Sequence, residues 1–262
     1  MASSRSLSGH TVVALHAHPD DEAIFTGITL RRLADAGARV VLVLATAGEL
    51  GESRLPLAGG EDIARRRTAE LERSAELLGV SRLVLLGRRD SGLPGWLSGE
   101  HPRALVGACA SGLGRQVADI ADDEGAETLV FDDEGGVYGH PDHSTTHRVG
   151  EVAAALTGAA AYRVTVDRAG TPDGHLVRGA ARAAEVRFGR GPEEITFAVT
   201  GSAGELAGKR AALLAHASQI GPDQVPLDDF AATYGTEWYR HHGRPGALSA
   251  LVGASAPGLI PA

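Results

Sequence analysis

Hydrophobic residues fall into two kinds of pattern along the chain. Continuous apolar runs occur in "HTVVALHAH" (10–18), where Val12–Leu15 is bounded by polar residues, and in "ARVVLVLAT" (38–46), "RLVLLG" (82–87) and "ETLVFDD" (127–133). Runs without a polar face suit strands covered on both sides, as in a parallel sheet. Between them, apolar positions recur at helical spacing. "AIFTGITLRRLADAG" (23–37) predicts a helix closed by Gly37, and "EDIARRRTAELERSAELLGV" (61–80) predicts a charged amphipathic helix closed by Gly79. Alternation of strand and helix predicts right-handed crossovers and an open, doubly wound sheet.

The second half is patterned less clearly. "AAYRVTV" (160–166) reads as a strand, "AEVRFGRGPEEITFAVT" (184–200) as two strands about a "GRGPEE" turn, and "GELAGKRAALLAHASQI" (204–220) as a helix. The Gly- and Pro-rich tail beyond Pro222 is expected to wrap the surface. The fold class expected is α/β: a Rossmann-like, mainly parallel sheet with helices on both faces and a small C-terminal extension. No repeat or low-complexity linker divides the chain, so one domain spans 1–262, with a core of about 8–170 and with 171–262 completing the pocket.

Charge and composition narrow the partners. A formal charge of -8 with no basic run argues against nucleic acid. The start, "MASSRSLSGH", lacks an apolar signal core, and no segment is long enough to span a membrane, so a soluble cytoplasmic protein is expected. A homo-oligomer is compatible with this composition. Cys109 is the only cysteine, so no intrachain disulfide can form, and a small buried side chain is expected there.

Open α/β sheets gather their sites at the carboxyl ends of the strands. "HPDDE" (18–22) follows the first predicted strand, "RDSG" (89–92) the third and "DDEGGVYGHPDH" (132–143) the fourth. Three adjacent acids repel one another and call for positive charge, which a helix N-terminus and a cation together supply. His18, Asp21 and His143 make the two-imidazole, one-carboxylate set of a catalytic Zn²⁺ with a position left for water. The same set serves mononuclear non-heme iron, so Fe²⁺ stays open and an iron oxygenase is a more remote alternative, although that set usually sits on a β-rich barrel. In "GHPDH" one histidine can bind metal while the other faces the reacting group, with Asp142 placed to fix an imidazole tautomer. His147 is a fourth ligand or, more simply, an outlying histidine, and His16 reads as a core histidine. "GLGRQV" (112–117) is all that a nucleotide-binding module can offer, and it lacks the third glycine.

"AHPDDE" (17–22) and "YGHPDH" (138–143) together resemble the LmbE / PIG-L family of zinc-dependent N-acetylglucosamine deacetylases. "TAGELGE" (46–52), "RRRTAELERSAELLGV" (65–80), "RDSG" and "KRAALLAHASQ" (209–219) are similar to segments of its mycothiol- and bacillithiol-pathway members. The resemblance implies one Zn²⁺ per chain on His18, Asp21 and His143, with Asp20 as general base. It implies His140 as oxyanion stabiliser or acid, with Asp142 orienting it, and substrate contacts from Arg67, Asp90 and Tyr138. Glu22 and Glu49 are supporting candidates. The implied reaction removes the N-acetyl group from an N-acetylglucosamine-type sugar or glycoside, in thiol-cofactor or secondary-metabolite biosynthesis; an amidase acting on mycothiol S-conjugates is the alternative. After "HPDDE" this chain carries "AIFTG", with Ile24 and Phe25, where the mycothiol-pathway members carry small polar residues or a lysine. That departure favours a more apolar acetamido-sugar. Eleven aromatics (Phe 5, Trp 2, Tyr 4) leave no long platform for a glycan chain, so a small glycoside is expected rather than a polymer.

Overall fold

A computed structural model describes residues 6–183, 185 and 188–252. In chain order the elements are β1 (Thr11–His16), α1 (Asp21–Phe25), α2 (Gly27–Asp35), β2 (Arg39–Thr46), α3 (Ile63–Leu78), β3 (Arg82–Arg88), α4 (Ala110–Asp123), β4 (Thr128–Asp132), the single turn α5 (Gly136–Gly139), α6 (Pro141–Thr157), β5 (Ala160–Thr165), α7 (Leu176–Ala183), β6 (Phe197–Thr200), α8 (Ala203–Ala215), α9 (Phe230–Tyr234), β7 (Thr236–His241) and α10 (Ala247–Val252). The sheet has seven strands in the order β3-β2-β1-β4-β5-β7-β6. The first five are parallel, and β7 runs antiparallel to both β5 and β6.

Alternating side chains of the central strands enter two cores. Val12 and Ala14 of β1 join Val40 and Leu42 of β2 in the core beneath α2, α3 and α8. Val13, Leu15, Val41 and Val43 face the other way, into the core beneath α4 and α6. Two covered faces explain why β1 and β2 have no polar side. The second core is tight: a Cβ at Gly150 of α6 would lie 2.2 Å from the Phe131 ring, and one at Gly114 of α4 would lie 2.5 Å from Val152.

Several expectations need correction. The helix expected over 23–37 breaks at Thr26, whose hydroxyl donates to Glu22 O at 2.9 Å and also bonds His16 Nε2 at 2.9 Å. "GLGRQV" lies inside α4, so it forms no phosphate-cradling loop. Cys109 is exposed, because it sits at the N-terminal edge of α4 and not in a core. The tail does more than wrap the surface: its segment "TEWYRH" is β7, inserted between β5 and β6. Glu237 of β7 accepts hydrogen bonds from Ile28 N (2.8 Å) and Thr29 N (2.9 Å) at the start of α2, and from Lys209 Nζ of α8 (2.8 Å). This buried carboxylate is favoured by the helix N-terminus and ties the C-terminal strand to two earlier helices. Of the two strands expected over 184–200, the second is β6, shorter than expected; the first falls in part on residues 184, 186 and 187, which lie outside the described residues.

Candidate functional site

In the order 3-2-1-4-5 the chain reverses direction across the sheet between β1 and β4, which opens a crevice at their carboxyl ends. The loop after β1 carries His18, Asp20 and Asp21, and the segment after β4 carries Tyr138, His140, Asp142 and His143. The turn after β3 adds Asp90. Topology thus brings together residues up to 125 positions apart (His18 to His143). A cavity of about 740 Å³ opens there, lined by His18, Asp20, Asp21, Arg67, Asp90, Tyr138 and His140, and also by residues 173–177, 219, 220, 223 and 224 of the C-terminal half.

The floor is a buried knot of imidazoles and carboxylates. His18 and His143 have ring centroids 5.3 Å apart, and His140 lies 4.8 Å from His18 and 5.5 Å from His143. Asp21 stands between two of them, with Oδ2 3.5 Å from His18 Nδ1 and Oδ1 3.4 Å from His143 Nε2. Its Oδ2 also accepts the His18 backbone N–H at 2.7 Å, which pins the carboxylate toward the rings. One donor atom each from His18, His140 and His143 falls within 4.8 Å of the others, as does one each from His18, Asp90 and Asp142. His143 Nε2 is buried with no hydrogen-bond partner among the described residues. An orphaned ring nitrogen facing a carboxylate costs free energy unless something electropositive lies between them. The donor set therefore fits a divalent cation.

Charge points the same way. Burial disfavours the His18 imidazolium, yet the carboxylates of Asp90, Asp142 and Asp21 outweigh burial and raise its pKa well above the ordinary value. Burial likewise opposes charging of His143, and Asp21 and Asp132 raise it. Asp21 is held down at about 2, chiefly by His143 and His18 working against burial. Such a surplus of carboxylates around two rings is a site short of positive charge.

Asp20 is set apart from its neighbour. Its backbone is left-handed (φ 107°), a costly conformation for a residue other than glycine. Two partners hold it: Glu22 Oε2 accepts the Asp20 N–H at 3.0 Å, and Arg67 Nη2 donates to Asp20 Oδ2 at 3.0 Å. Burial raises the Asp20 carboxyl to about 6 against the pull of Arg67. Arg67 also donates to Pro19 O, and to Gly48 O at 2.7 Å, so its bonds serve the loop and not the open cavity. Glu22 is itself buried, between Ser74 and His216, whose Nε2 lies 2.6 Å from Glu22 Oε1. Glu49 Oε1 accepts the Asp90 N–H at 3.2 Å.

On the other wall, the Asp142 N–H donates to His140 Nδ1 at 3.2 Å. That leaves Nε2 of neutral His140 as the N–H donor; burial, with His18 and His143 nearby, lowers its pKa to about 3. The Asp142 carboxylate does not face His140: its Oδ2 lies 3.2 Å from His18 Nε2 and accepts the Ser91 N–H at 3.0 Å. Asp90 Oδ1 lies 3.6 Å from His18 Nε2. The Tyr138 ring packs 5.1 Å from His143, and Phe25 stacks behind it at 6.5 Å, buried and not on the cavity wall. His16 is buried in the strand as expected. His147 stands outside the knot, with Nδ1 3.1 Å from Asp132 O.

Two buried groups received no role from sequence alone. Asp132, the last residue of β4, lies 3.0 Å from His143 Nδ1, accepts from Thr146 and sits 3.7 Å from His16 Nδ1. A carboxylate behind a ring whose other nitrogen faces a cation site fixes that ring's orientation. The signal was the acid closing "TLVFD", readable only once the strand's neighbours are known. His216 lies within "KRAALLAHASQ", whose pattern could not say that it reaches Glu22.

Buried histidines and carboxylates at the switch point of a doubly wound sheet define a class: an α/β protein whose cleft holds a cluster that could bind a cation. The chain belongs to the PIG-L family; the family model described as GlcNAc-PI de-N-acetylase matches residues 13–154. It is similar to a 1D-myo-inositol 2-acetamido-2-deoxy-alpha-D-glucopyranoside deacetylase of Salinispora arenicola, 34% identical over 100% of this chain and 91% of that protein. A protein of the same name from Nakamurella multipartita is 39% identical over 84% of this chain and 82% of that one. Among solved structures, N,N'-diacetylchitobiose deacetylase from Pyrococcus horikoshii superposes with a TM-score of 0.59 at 20% identity, covering 94% of this chain and 86% of that one. No described helix is long and apolar enough to cross a membrane.

Proposed function

We propose that this protein removes the acetyl group from an N-acetylglucosamine-type glycoside by metal-dependent amide hydrolysis, with one divalent cation, zinc foremost, held by His18, Asp21 and His143. The observation that carries the reading is the orphaned His143 Nε2, buried 3.4 Å from an Asp21 oxygen that is already oriented by the His18 amide. The names of the relatives support the acetamido-sugar. When bound, the cation supplies acidification of water and polarisation of the amide carbonyl.

The chain's own groups divide the remaining work. Asp20 accepts the proton of the attacking water. Its strained backbone and the Arg67 contact hold the carboxylate at the rim of the floor without placing it in the ligand set. His140 offers its Nε2–H to the developing oxyanion, and the Asp142 backbone amide on Nδ1 keeps that tautomer. Asp142 and Asp90 orient His18 from the outer side. Arg67 acts by bracing Asp20, and Tyr138 by closing the wall beside His143. Protonation of the departing amine falls to His140 or to Asp20 returning its proton.

The test combines metal analysis with acetate release from small N-acetylglucosamine glycosides. The wild-type protein is expected to carry one divalent ion and to release acetate. His143→Ala is expected to lose most of the metal and the activity. Full metal occupancy in that variant overturns the ligand assignment, and absence of acetate from every acetamido-sugar overturns the reaction.

A further inference from the structure

The cavity is larger than one acetamido-hexose requires, and its rim sets the exposed Trp96 indole beside the exposed carboxylates of Asp173 and Asp223. Its volume of about 740 Å³ lies well inside the range that accommodates drug-sized ligands. Around the polar floor the lining includes Leu93, Trp96, Leu176, Val177 and Ile220. Trp96 is 50% exposed, among the largest apolar surfaces the molecule leaves in water. It is also fixed in place. A Cβ at Gly92 would lie 2.5 Å from the Trp96 ring, so the indole rests directly on the glycine backbone. Ser98 Oγ donates to Ser91 O at 2.6 Å and fastens the segment that follows Trp96 to the same turn. That turn carries Asp90, 3.6 Å from His18 Nε2, so the indole adjoins the reacting centre. A rigid, half-exposed aromatic beside a polar floor provides a large contact area at little entropic cost.

The opposite end of the cavity has no such room. Behind the histidines, Phe25 packs edge-on to His143 at 5.9 Å and stacks on Tyr138, which closes the floor to anything larger than a small acyl group. The apolar part of a ligand must therefore point to the mouth, on the side of the sugar away from the amide.

We propose that the natural substrate is an acetamido-sugar bearing an apolar aglycone, aryl or alkyl, and that Trp96 together with Leu93, Leu176 and Val177 forms the wall that binds it. This rests on the deacetylase reading above and deepens it by naming the class of the attached group.

The experiment compares zinc-loaded protein on the methyl, hexyl, phenyl and inositol glycosides of N-acetylglucosamine, and on N-hexanoyl in place of N-acetyl. Burying a hexyl or phenyl group is worth roughly tenfold to a hundredfold in kcat/KM over methyl. The hexyl and phenyl glycosides are expected to exceed both the methyl and the inositol glycoside by that order. Trp96→Ala is expected to remove most of the hexyl-to-methyl ratio, and Trp96→Phe to retain most of it. As a readout independent of turnover, phenyl glycoside is expected to quench indole emission in the wild-type protein and not in Trp96→Phe. Acetate release with no preference for apolar aglycones, a preference for the inositol glycoside, or a ratio unchanged in Trp96→Ala overturns this inference and leaves the deacetylase reading standing. A gain confined to the N-hexanoyl substrate also overturns it, because the apolar group would then lie on the acyl side. No acyl release from any glycoside overturns both.

Discussion

Asp20 and Asp21 are adjacent in sequence, yet the backbone sends their carboxylates to different partners, and the roles proposed for them differ accordingly. The left-handed turn at Asp20 sends its carboxylate to Arg67, while Asp21, opening α1, faces His18 and His143. Asp20→Asn keeps the Arg67 hydrogen bond but cannot take a proton. It is expected to lower kcat by ~10²–10⁴-fold while one metal per chain is retained, as read by steady-state kinetics beside metal analysis. Loss of the metal instead would exchange the roles of the two residues. Behind His143, a proposed ligand, Asp132 is expected to matter without touching substrate. Asp132→Asn leaves His143 without its orienting carboxylate, so metal affinity should fall about 10–100-fold at unchanged far-ultraviolet circular dichroism. Chelator competition measures it, and an unchanged affinity would make Asp132 merely a core residue.

At the scale of elements, helix α6 both supplies His143 and seals the second core. Its Gly150 face rests on Phe131 of β4, and this close approach sets the depth at which the histidine enters the crevice. Gly150→Ala would force the ring or the helix to move and is expected to cost about 1–3 kcal/mol in urea unfolding, despite alanine's higher helix propensity. A stabilised variant would mean that α6 is free to shift. The helices α2 and α3 were legible from their spacing. The break at Thr26 was not, because it depends on His16 of the preceding strand donating its Nε2–H to the Thr26 hydroxyl, whose own proton goes to Glu22 O. Helix α4 was not assigned from the sequence, where "GLGRQV" offered only an incomplete glycine pattern; in the structure its Gly114 packs closely against Val152 of α6.

Across the whole molecule, the C-terminal third is packed into the site and not appended to it. His175, at the start of α7, is buried against Tyr234 with ring centroids 4.5 Å apart, and its Nδ1 accepts the Val177 N–H at 3.3 Å. Burial, with Lys209 and Arg178 nearby, lowers its pKa to about 3. A histidine lowered in the folded state favours folding fully only above its unfolded pKa of about 6.5, and that contribution is lost as pH falls toward 3. Between pH 7 and pH 5, His175 alone is expected to remove about 2 kcal/mol of stability. His175→Gln should flatten this part of the pH–stability curve, measured by urea midpoints; an equal slope in both proteins would mean that the native state accommodates the imidazolium.

The sequence by itself determined the local facts: strands with two apolar faces, helices with one, and two motifs whose residue types can hold a cation and move a proton. These are properties of neighbours in the chain, where periodicity and residue chemistry act directly. The family was legible for the same reason, since "HPDDE" and "GHPDH" are each local. Only the tertiary structure decided what lies between distant segments. The order of strands put β1 beside β4 and so joined His18 to His143. It slotted β7 between β5 and β6, where Glu237 could cap α2, and it carried His216 to Glu22 and Asp132 to His143. It also turned Asp142 toward His18 and Trp96 onto Gly92. Each of these pairings joins different elements of the fold or is a choice of side-chain direction within a loop. Such contacts are selected by packing and buried hydrogen bonds and not by the pattern of residues along the chain.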